Sequence, residues 1–403
     1  MVVVKITLKK IRYLVAFAVC LLAVGLIGYK IGTTRPTASI SGADLSLFWL
    51  VWHRLEDKYL DRSQIDPEKM VEGAIAGMVA SLEDPYTVFL PPDDNKVNKE
   101  DLTGEFGGVG IQLGFKDKTL AVLSPLDGTP AQKVGVQAGD LILKIKDEAN
   151  QVDQDTQGIS LPEAVKLIRG KQGTDVTLTL FRQGQAAPFE VVITRANIAV
   201  PALETRWETA GGKRFAYIHL LQFSEVMQNE WLAWVEQMKL EKSQADFGGV
   251  VLDLRNNPGG FLQGSVFTAG EFLPRGEVVV WQEDYKGKKI KFTVDRIGEL
   301  TEVPLVVLIN QGSASAAEIL AGALRDHQRA KIVGQTSFGK GTVQEPEDLP
   351  GQAGLHVTIA RWLLPNGDSI HKQGIKPDVE VDVGDGSEDL TLKKGLSILV
   401  TGE

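Results

Sequence analysis

The chain has 403 residues, 43% of them hydrophobic and 24% charged, with a formal net charge of −9. That length predicts two or three domains of roughly 150 residues, and the apolar content excludes a disordered chain. The acid excess is a poor electrostatic footprint for a nucleic-acid binder. A single cysteine, Cys20, excludes an intrachain disulfide framework, a cysteine-based zinc site and a CxxC redox motif.

Lys5, Lys9, Lys10 and Arg12 precede an uncharged run at 13–28, YLVAFAVCLLAVGLIG. As a helix this run rises about 24 Å, and Tyr29 with the preceding turn extends it towards the roughly 30 Å hydrocarbon core. More positive charge lies before the run than after it (Lys30, Arg35), so the start stays cytoplasmic and the rest crosses. A cleaved signal peptide is the competing reading, but no small-x-small cleavage site directly follows. The expectation is therefore a single-pass protein of a bacterial-type cell membrane, with the rest of the chain extracytoplasmic. Secretion after cleavage is the alternative. The divisions expected are a basic tail at 1–12, an anchor at 13–29, a polar linker at 30–43, a helical segment at 44–98, a β-rich domain at 103–196, an α/β core at 198–385 and a tail at 386–403.

Leu47, Leu50, Val51, Trp52, Leu55 and Tyr59 form a helical stripe within 45–59. Asp66-Pro67-Glu68 opens a second helix that runs to about Leu82. Asp84-Pro85-Tyr86 ends it, and Pro91-Pro92-Asp93-Asp94 reads as a breaker. From 106 to 195 the pattern becomes short strands, at 109–113, 120–123, 141–145, 176–181 and 189–193, with one amphipathic helix at 161–168. Gly107-Gly108-Val109-Gly110-Ile111 places glycines just before a strand, where successive backbone N–H groups suit a terminal carboxylate. On its own such a run is more often a plain turn. The segment 135–142, GVQAGDLI, resembles the GxxxGDxIxxI signature of PDZ domains, and the whole stretch is similar to one. Beyond 200, strands at 214–220, 247–254, 278–282, 305–309 and 332–333 alternate with helices at 225–239, 262–272 and 316–324. This alternation predicts an α/β core with both sheet faces partly covered.

Three patterns concentrate chemistry at 253–344. Asp253-Leu254-Arg255-Asn256-Asn257-Pro258-Gly259-Gly260 ends a buried strand in a turn that exposes N–H groups, the requirement of an oxyanion hole or simply of a turn. In Gly312-Ser313-Ala314-Ser315-Ala316-Ala317-Glu318, Ser315 with Glu318 matches an S-x-x-E capping box. The same serine would sit where a helix dipole favours developing negative charge. The third is Phe338-Gly339-Lys340-Gly341-Thr342-Val343-Gln344. Residues 334–340 nearly match a P-loop, but Gly341 replaces the Ser/Thr and no helix can follow. Ser337–Lys340 matches S-x-x-K, but no K-T-G or S-D-N partner exists. On a strand, Lys340 and Gln344 would share a face, and a desolvated lysine can act as general base. None of His53, His219, His327, His356 and His371 lies in a nucleophile constellation, so a Ser–Lys dyad fits better than a Ser-His-Asp triad.

Together with Asp84-Pro85-Tyr86-Thr87, Asp368–Ile370 and Lys376-Pro377-Asp378, these motifs resemble the carboxy-terminal processing peptidases, or tail-specific proteases. The resemblance implies an α/β multidomain chain with a PDZ-like domain and a crotonase-like peptidase core. It implies Ser315 as nucleophile, Lys340 as general base and Gln344 as the residue positioning the lysine. The oxyanion hole would use the Ala316 N–H and that of Gly259 or Gly260. Gly107, Gly108, Val109, Gly110 and Ile111 would receive an exposed apolar C-terminus of a protein substrate. No metal or organic cofactor is required, the helical segment permits a homodimer, and nucleic acid is not a partner. Ala317 stands where the family usually has a second serine. Arg169, after the PDZ-like helix, is either solvated or able to reach Gln344 and couple tail binding to the base. A membrane-tethered PDZ adaptor on a retired peptidase fold is the non-enzyme alternative.

Overall fold

The computed structural model describes residues 43–126, 128–382 and 388–402. The expected anchor at 13–29, Cys20 and nearly all of the linker lie outside them. Among the described residues no helix is long and apolar enough to cross a membrane. The chain forms two compact units, one up to Val71 and one from Glu72 onward.

In the first unit, α1 (Ser46–Lys58) has no buried residue. Leu47, Trp49, Leu50 and Val51 are exposed, and Trp49 meets Phe48 and Trp52 edge to face. A 3₁₀ turn (Arg62–Gln64) leads to α2 (Pro67–Ala80), with Pro67 at its start as expected.

The second unit takes in the rest of α2 from Glu72 and continues with β1 (Val88–Leu90) and α3 (Pro92–Thr103). The expected breaker is thus a helix start. Pro92 occupies the first turn, where its missing N–H has no cost, and Asp93 and Asp94 face the positive end of the dipole. Then β2 (Glu105–Gly108) pairs with β9 (Ala196–Ala199). Between these two lie β3 (Ile111–Lys116), β4 (Thr119–Pro125), α4 (Pro130–Lys133), β5 (Leu141–Asp147), β6 (Val152–Asp155), α5 (Leu161–Ile168), β7 (Asp175–Phe181) and β8 (Phe189–Thr194). The sheet order is β3-β4-β5-β7-β8, with β6 on β5, around Leu120, Ile142, Ile145, Leu178 and Ile193. Two buried acids organise this domain. Asp140, fully buried, accepts from Gln137 N–H and from Arg182, which explains the Gly-Asp of the signature. Asp147 pairs with the fully buried Arg195 at 2.8 Å, and Arg195 also donates to the carbonyls of Leu167 and Ile168 at the end of α5.

The remaining chain builds two sheets. β10 (Leu203–Ala210) and β11 (Lys213–Leu220) form a hairpin. Parallel to β11 run β12 (Phe247–Asp253), β15 (Leu305–Ile309), β16 (Lys331–Gly334) and β19 (Val379–Glu380). Alternate residues of these strands face opposite sides. Val250, Leu252 and Val307 pack against α6 (Met227–Glu241), α7 (Leu262–Phe272) and α8 (Ala316–Asp326) through Trp231, Phe272 and Leu320. Val251, Val306 and Leu308 pack against α9 (Leu390–Thr401) through Leu392, Leu396 and Ile398. The segment expected as a tail at 386–403 therefore supplies the helix that closes the second face of the core. In the other sheet β18 (Gly354–Leu363) is paired by β17 (Thr342–Asp348) along one side. On its other side lie β1 and β13 (Val278–Asp284), the latter extended by β14 (Lys289–Thr293).

Candidate active site

The site is made where strand ends of the parallel sheet meet the β17–β18 ribbon. Ser315 is the N-cap of α8 and holds φ 54° with ψ −116°. A non-glycine residue there is strained by about 1–3 kcal/mol, and its neighbours enforce the strain. Ala314 N–H donates to Asn257 O on one side, and Ser315 N–H donates to the Glu318 carboxylate at 2.8 Å on the other.

Asn257, fully buried, ties the 253–260 turn together: its side chain donates to Leu220 O and accepts from Gly259 N–H. Ser313, also buried, donates to Leu254 O and accepts from Asn310 N–H. Gly259 holds φ +103°, and a Cβ on it would lie 2.7 Å from Ser315 Cβ. The turn and the serine are thus in contact, and only glycine allows it. The Gly259 N–H is engaged by Asn257. Among the described residues, the N–H groups of Gly260 and Ala316 have no hydrogen-bond acceptor.

Glu318 is fully buried and joins the two halves of the site. One carboxylate oxygen accepts from Ser337 Oγ (2.6 Å) and Gly339 N–H (2.7 Å). The other accepts from Ser315 N–H (2.8 Å) and Lys340 N–H (3.0 Å). Burial raises its pKa despite these four bonds. The capping pattern was readable from S-x-x-E; the attachment to residues 337–340 was not, because no local spacing encodes it.

Lys340 is half-buried, and burial lowers its pKa against the opposing pull of Asp84 and Glu318. Its ammonium lies 5.1 Å from the centroid of the Tyr86 ring. No hydrogen bond joins this ammonium to Ser315 or to Gln344 among the described residues. Gln344 instead donates to Thr342 Oγ1 (3.0 Å) and Thr358 Oγ1 (3.2 Å). β17 begins only at Thr342 and its register shifts between Val343 and Gln344, so a regular strand spacing does not run unbroken from Lys340 to Gln344. Of the histidines, His219 bonds to Arg255 O and His327 to Val278 O. His356 faces Lys340, and burial followed by that charge lowers its pKa. Behind the turn, Asp253 accepts from Tyr217 (2.7 Å) and Arg255, and Arg255 grips Asp389 at the start of α9. Burial, then Asp253, pushes Tyr217 up to about 12. Among the described residues no group of three or more His, Cys, Asp or Glu side chains is placed to hold a metal ion.

A separate groove of about 130 Å³ runs between β3 and α5. Gly108, Val109, Gly110 and Ile111 line one wall, and Leu161 and Val165 the other. Gly110 is held at φ +77° against Thr129. Gly107 does not line this groove: it packs on Gly170 O, where a Cβ would have no room. Arg169 closes the groove's end, lies 3.9 Å above the Phe106 ring and bonds to Asp101 (3.3 Å) rather than to Gln344.

Fold and site together define a PDZ-bearing serine peptidase. The profile of peptidase family S41 matches residues 214–381, that of the PDZ domain residues 96–181, and that of the activating protease CtpB N-terminal domain residues 36–94. The chain is 39% identical to the carboxy-terminal-processing protease of Bartonella bacilliformis over 339 residues, covering 84% of this chain and 75% of that one. It is 40% identical to the carboxyl-terminal-processing protease of Synechocystis over 335 residues, with coverage of 82% and 75%. The solved photosystem II D1 C-terminal processing protease superposes with TM-score 0.52 at 28% identity, over 90% of this chain and 98% of that one. The chain belongs to the carboxy-terminal processing peptidases of family S41.

Proposed function

We propose that this serine protease is a membrane-anchored endopeptidase that captures apolar protein C-termini in the β3–α5 groove and cleaves through a Ser315–Lys340 dyad. Lys340, neutral when active, takes the Ser315 proton as Oγ attacks a substrate carbonyl. The oxyanion forms between the N–H groups of Ala316 and Gly260, and water hydrolyses the acyl-enzyme. One such donor contributes about 2.7–4 kcal/mol of transition-state stabilisation. The observation that carries this reading is the strained Ser315 at a helix start, with those two N–H groups open beside it and a desolvated lysine tied to the same carboxylate. Catalytic hydrogen bonds in unliganded enzymes are often long and tighten with substrate, so Lys340 turns from the Tyr86 ring onto Ser315 during turnover, with Gln344 as its positioning partner.

The apolar lining of the groove supports recognition of an apolar tail, with the carboxylate received by the N–H groups around Gly108–Ile111. The basic flank and apolar run at 13–29 support a retained anchor and an extracytoplasmic site of action. The exposed apolar face of α1 supports a homodimer made through residues 44–98. The test incubates the purified full-length chain with a loosely folded protein bearing an apolar tail, beside Ser315→Ala and Lys340→Ala, with products read by mass spectrometry. Cleavage by wild type alone is expected. Equal cleavage by either variant refutes the dyad, and tail binding without cleavage by wild type returns the adaptor reading.

A further inference from the structure

The Asp84-Pro85-Tyr86-Thr87 turn has no part in the chemistry above, yet it touches Lys340 directly and reaches Gln344 through Thr358. Tyr86 presents its ring to the Lys340 ammonium at 5.1 Å. Asp84 accepts from Tyr86 N–H (3.1 Å), from Thr87 Oγ1 (2.7 Å) and from the Thr358 side chain. Thr87 is buried, and its hydroxyl accepts from Thr358 N–H at 3.1 Å. Thr358 in turn accepts from the Gln344 amide. A continuous set of hydrogen bonds therefore runs from the turn through β18 to Gln344, while the ring covers the lysine beside it.

We propose that this turn is the positioning element of the general base: the Tyr86 ring screens Lys340 from water, and Thr87 with Asp84 fixes Thr358 and so Gln344. The proposal rests on the Ser–Lys reading. Tyr86 acts in two opposed ways. Its ring face attracts an ammonium, but its bulk removes water, and burial is the largest influence on Lys340. The charged and titratable groups facing Lys340 are Asp84 and Tyr86 on the turn, Glu318 on α8 and His356 on β18, with His371 packed on the adjacent Gly341. Asp84 and Glu318 favour the ammonium, so removal of the ring leaves a wetter lysine facing two carboxylates. Its pKa then rises, and the neutral form appears only at higher pH.

The test measures kcat and KM from pH 5 to 10 for the full chain on a tailed substrate, with Ser315→Ala and Lys340→Ala run alongside. In Tyr86→Ala the rising limb of kcat/KM moves up by about one pH unit, about a tenfold loss at fixed pH on the limb. Tyr86→Phe keeps the ring face and holds the limb in place. Thr87→Val, which keeps the shape and removes the hydroxyl, lowers kcat on the plateau about tenfold with KM unchanged, and Thr87→Ser restores it. A Tyr86→Ala limb superimposed on that of wild type overturns the proposal, as does an unchanged kcat in Thr87→Val or a failure of Thr87→Ser to rescue it. If Tyr86→Ala does not fold, the Thr87 pair decides alone. Residual activity in Ser315→Ala or Lys340→Ala refutes the dyad itself, a separate failure.

Discussion

Replacing Glu318 by glutamine keeps the side chain's shape but exchanges one acceptor oxygen for a donor. Both carboxylate oxygens are in use, each accepting two bonds. Wherever the NH₂ points, it meets a backbone N–H. The least damaging orientation places it by Ser337, whose hydroxyl can rotate to accept, and leaves the Gly339 N–H without a partner. The bonds from Ser315 and Lys340 survive but lose their charged acceptor. Hydrogen bonds to charged groups contribute about 1.5–3 kcal/mol and neutral ones about 0.5–1.5, so these two weaken by about 2–3 kcal/mol together. An opposing effect acts on global stability. Because burial raises the Glu318 pKa in the folded state, the ionised form opposes folding at neutral pH. Stability linked to this group is fully present below its ordinary value of 4.5 and is lost as pH rises through the raised value. Glutamine removes that cost. The expected outcome is a variant whose melting temperature lies within about 5 °C of wild type but whose kcat falls roughly 30- to 150-fold, with KM for the tail unchanged. Steady-state cleavage with calorimetry on the same sample measures both. A folded Glu318→Gln enzyme with kcat within threefold of wild type would refute the claim that this carboxylate sets the geometry of Ser315 and Lys340.

Gly259→Ala places a Cβ 2.7 Å from Ser315 Cβ at φ +103°, and turnover should fall to background while tail binding, followed by fluorescence anisotropy, persists. Val165→Asp puts a charge in the apolar groove and should raise KM for tailed substrates by about tenfold (about 1.4 kcal/mol), leaving short peptides without a tail unaffected; equal losses on both substrates would count against the groove. Asp389→Ala removes both the cap that accepts from Leu392 N–H and the grip on Arg255. Because this carboxylate is substantially exposed, the pair is discounted for screening, and about 1–2 kcal/mol should be lost in urea denaturation, of which Asp389→Ser recovers the cap, about 1 kcal/mol. Burial pushes the Asp389 pKa up, but hydrogen bonds from Arg255 and Leu392 more than offset this and hold it low. The wild-type excess over Asp389→Ser should therefore be complete above pH 3.8 and fade as pH falls through the lowered value.

Elements whose signal is local were legible in the sequence. The helices Leu161–Ile168 and Leu262–Phe272 and the strand Leu305–Ile309 occur at the expected residues, because periodicity and flanking turns alone define them. Failures came where one residue type supports two structures. A Pro-Pro pair can stop one helix or start another; at Pro91-Pro92 a strand precedes and a helix follows, and only the acids after the pair distinguish the cases. At 390–401 the apolar residues Leu392, Leu396 and Ile398 carry a helical spacing, but the expected end of the core at 385 hid their role as the cover of its second face. In the site, motif order marked Ser315, Lys340 and the glycine turn. The shift within β17 that turns Gln344 towards Thr358 leaves no trace in composition. Nor does the meeting of Glu318 with Ser337–Lys340, since the partners lie on different elements joined only by the fold.

The backbone angle at Ser315 bears on how such a chain would age once proteolysis ceased to be selected. Glycine adopts φ 54°, ψ −116° without the strain that a Cβ adds, and it gives up only the capping contact of the Ser315 side chain with the Glu318 backbone N–H, a loss of about a few tenths of a kcal/mol. Relief of roughly 1–3 kcal/mol exceeds the extra chain entropy glycine brings, about 0.5–1 kcal/mol. Under the proposed dyad, drift at this position therefore runs towards a more stable and inactive protein. The scaffold around it, with Asn257, Ser313 and Glu318 buried and hydrogen-bonded, would erode far more slowly. A lineage that kept the fold for tail binding alone would lose its serine first and keep the pocket that once held it.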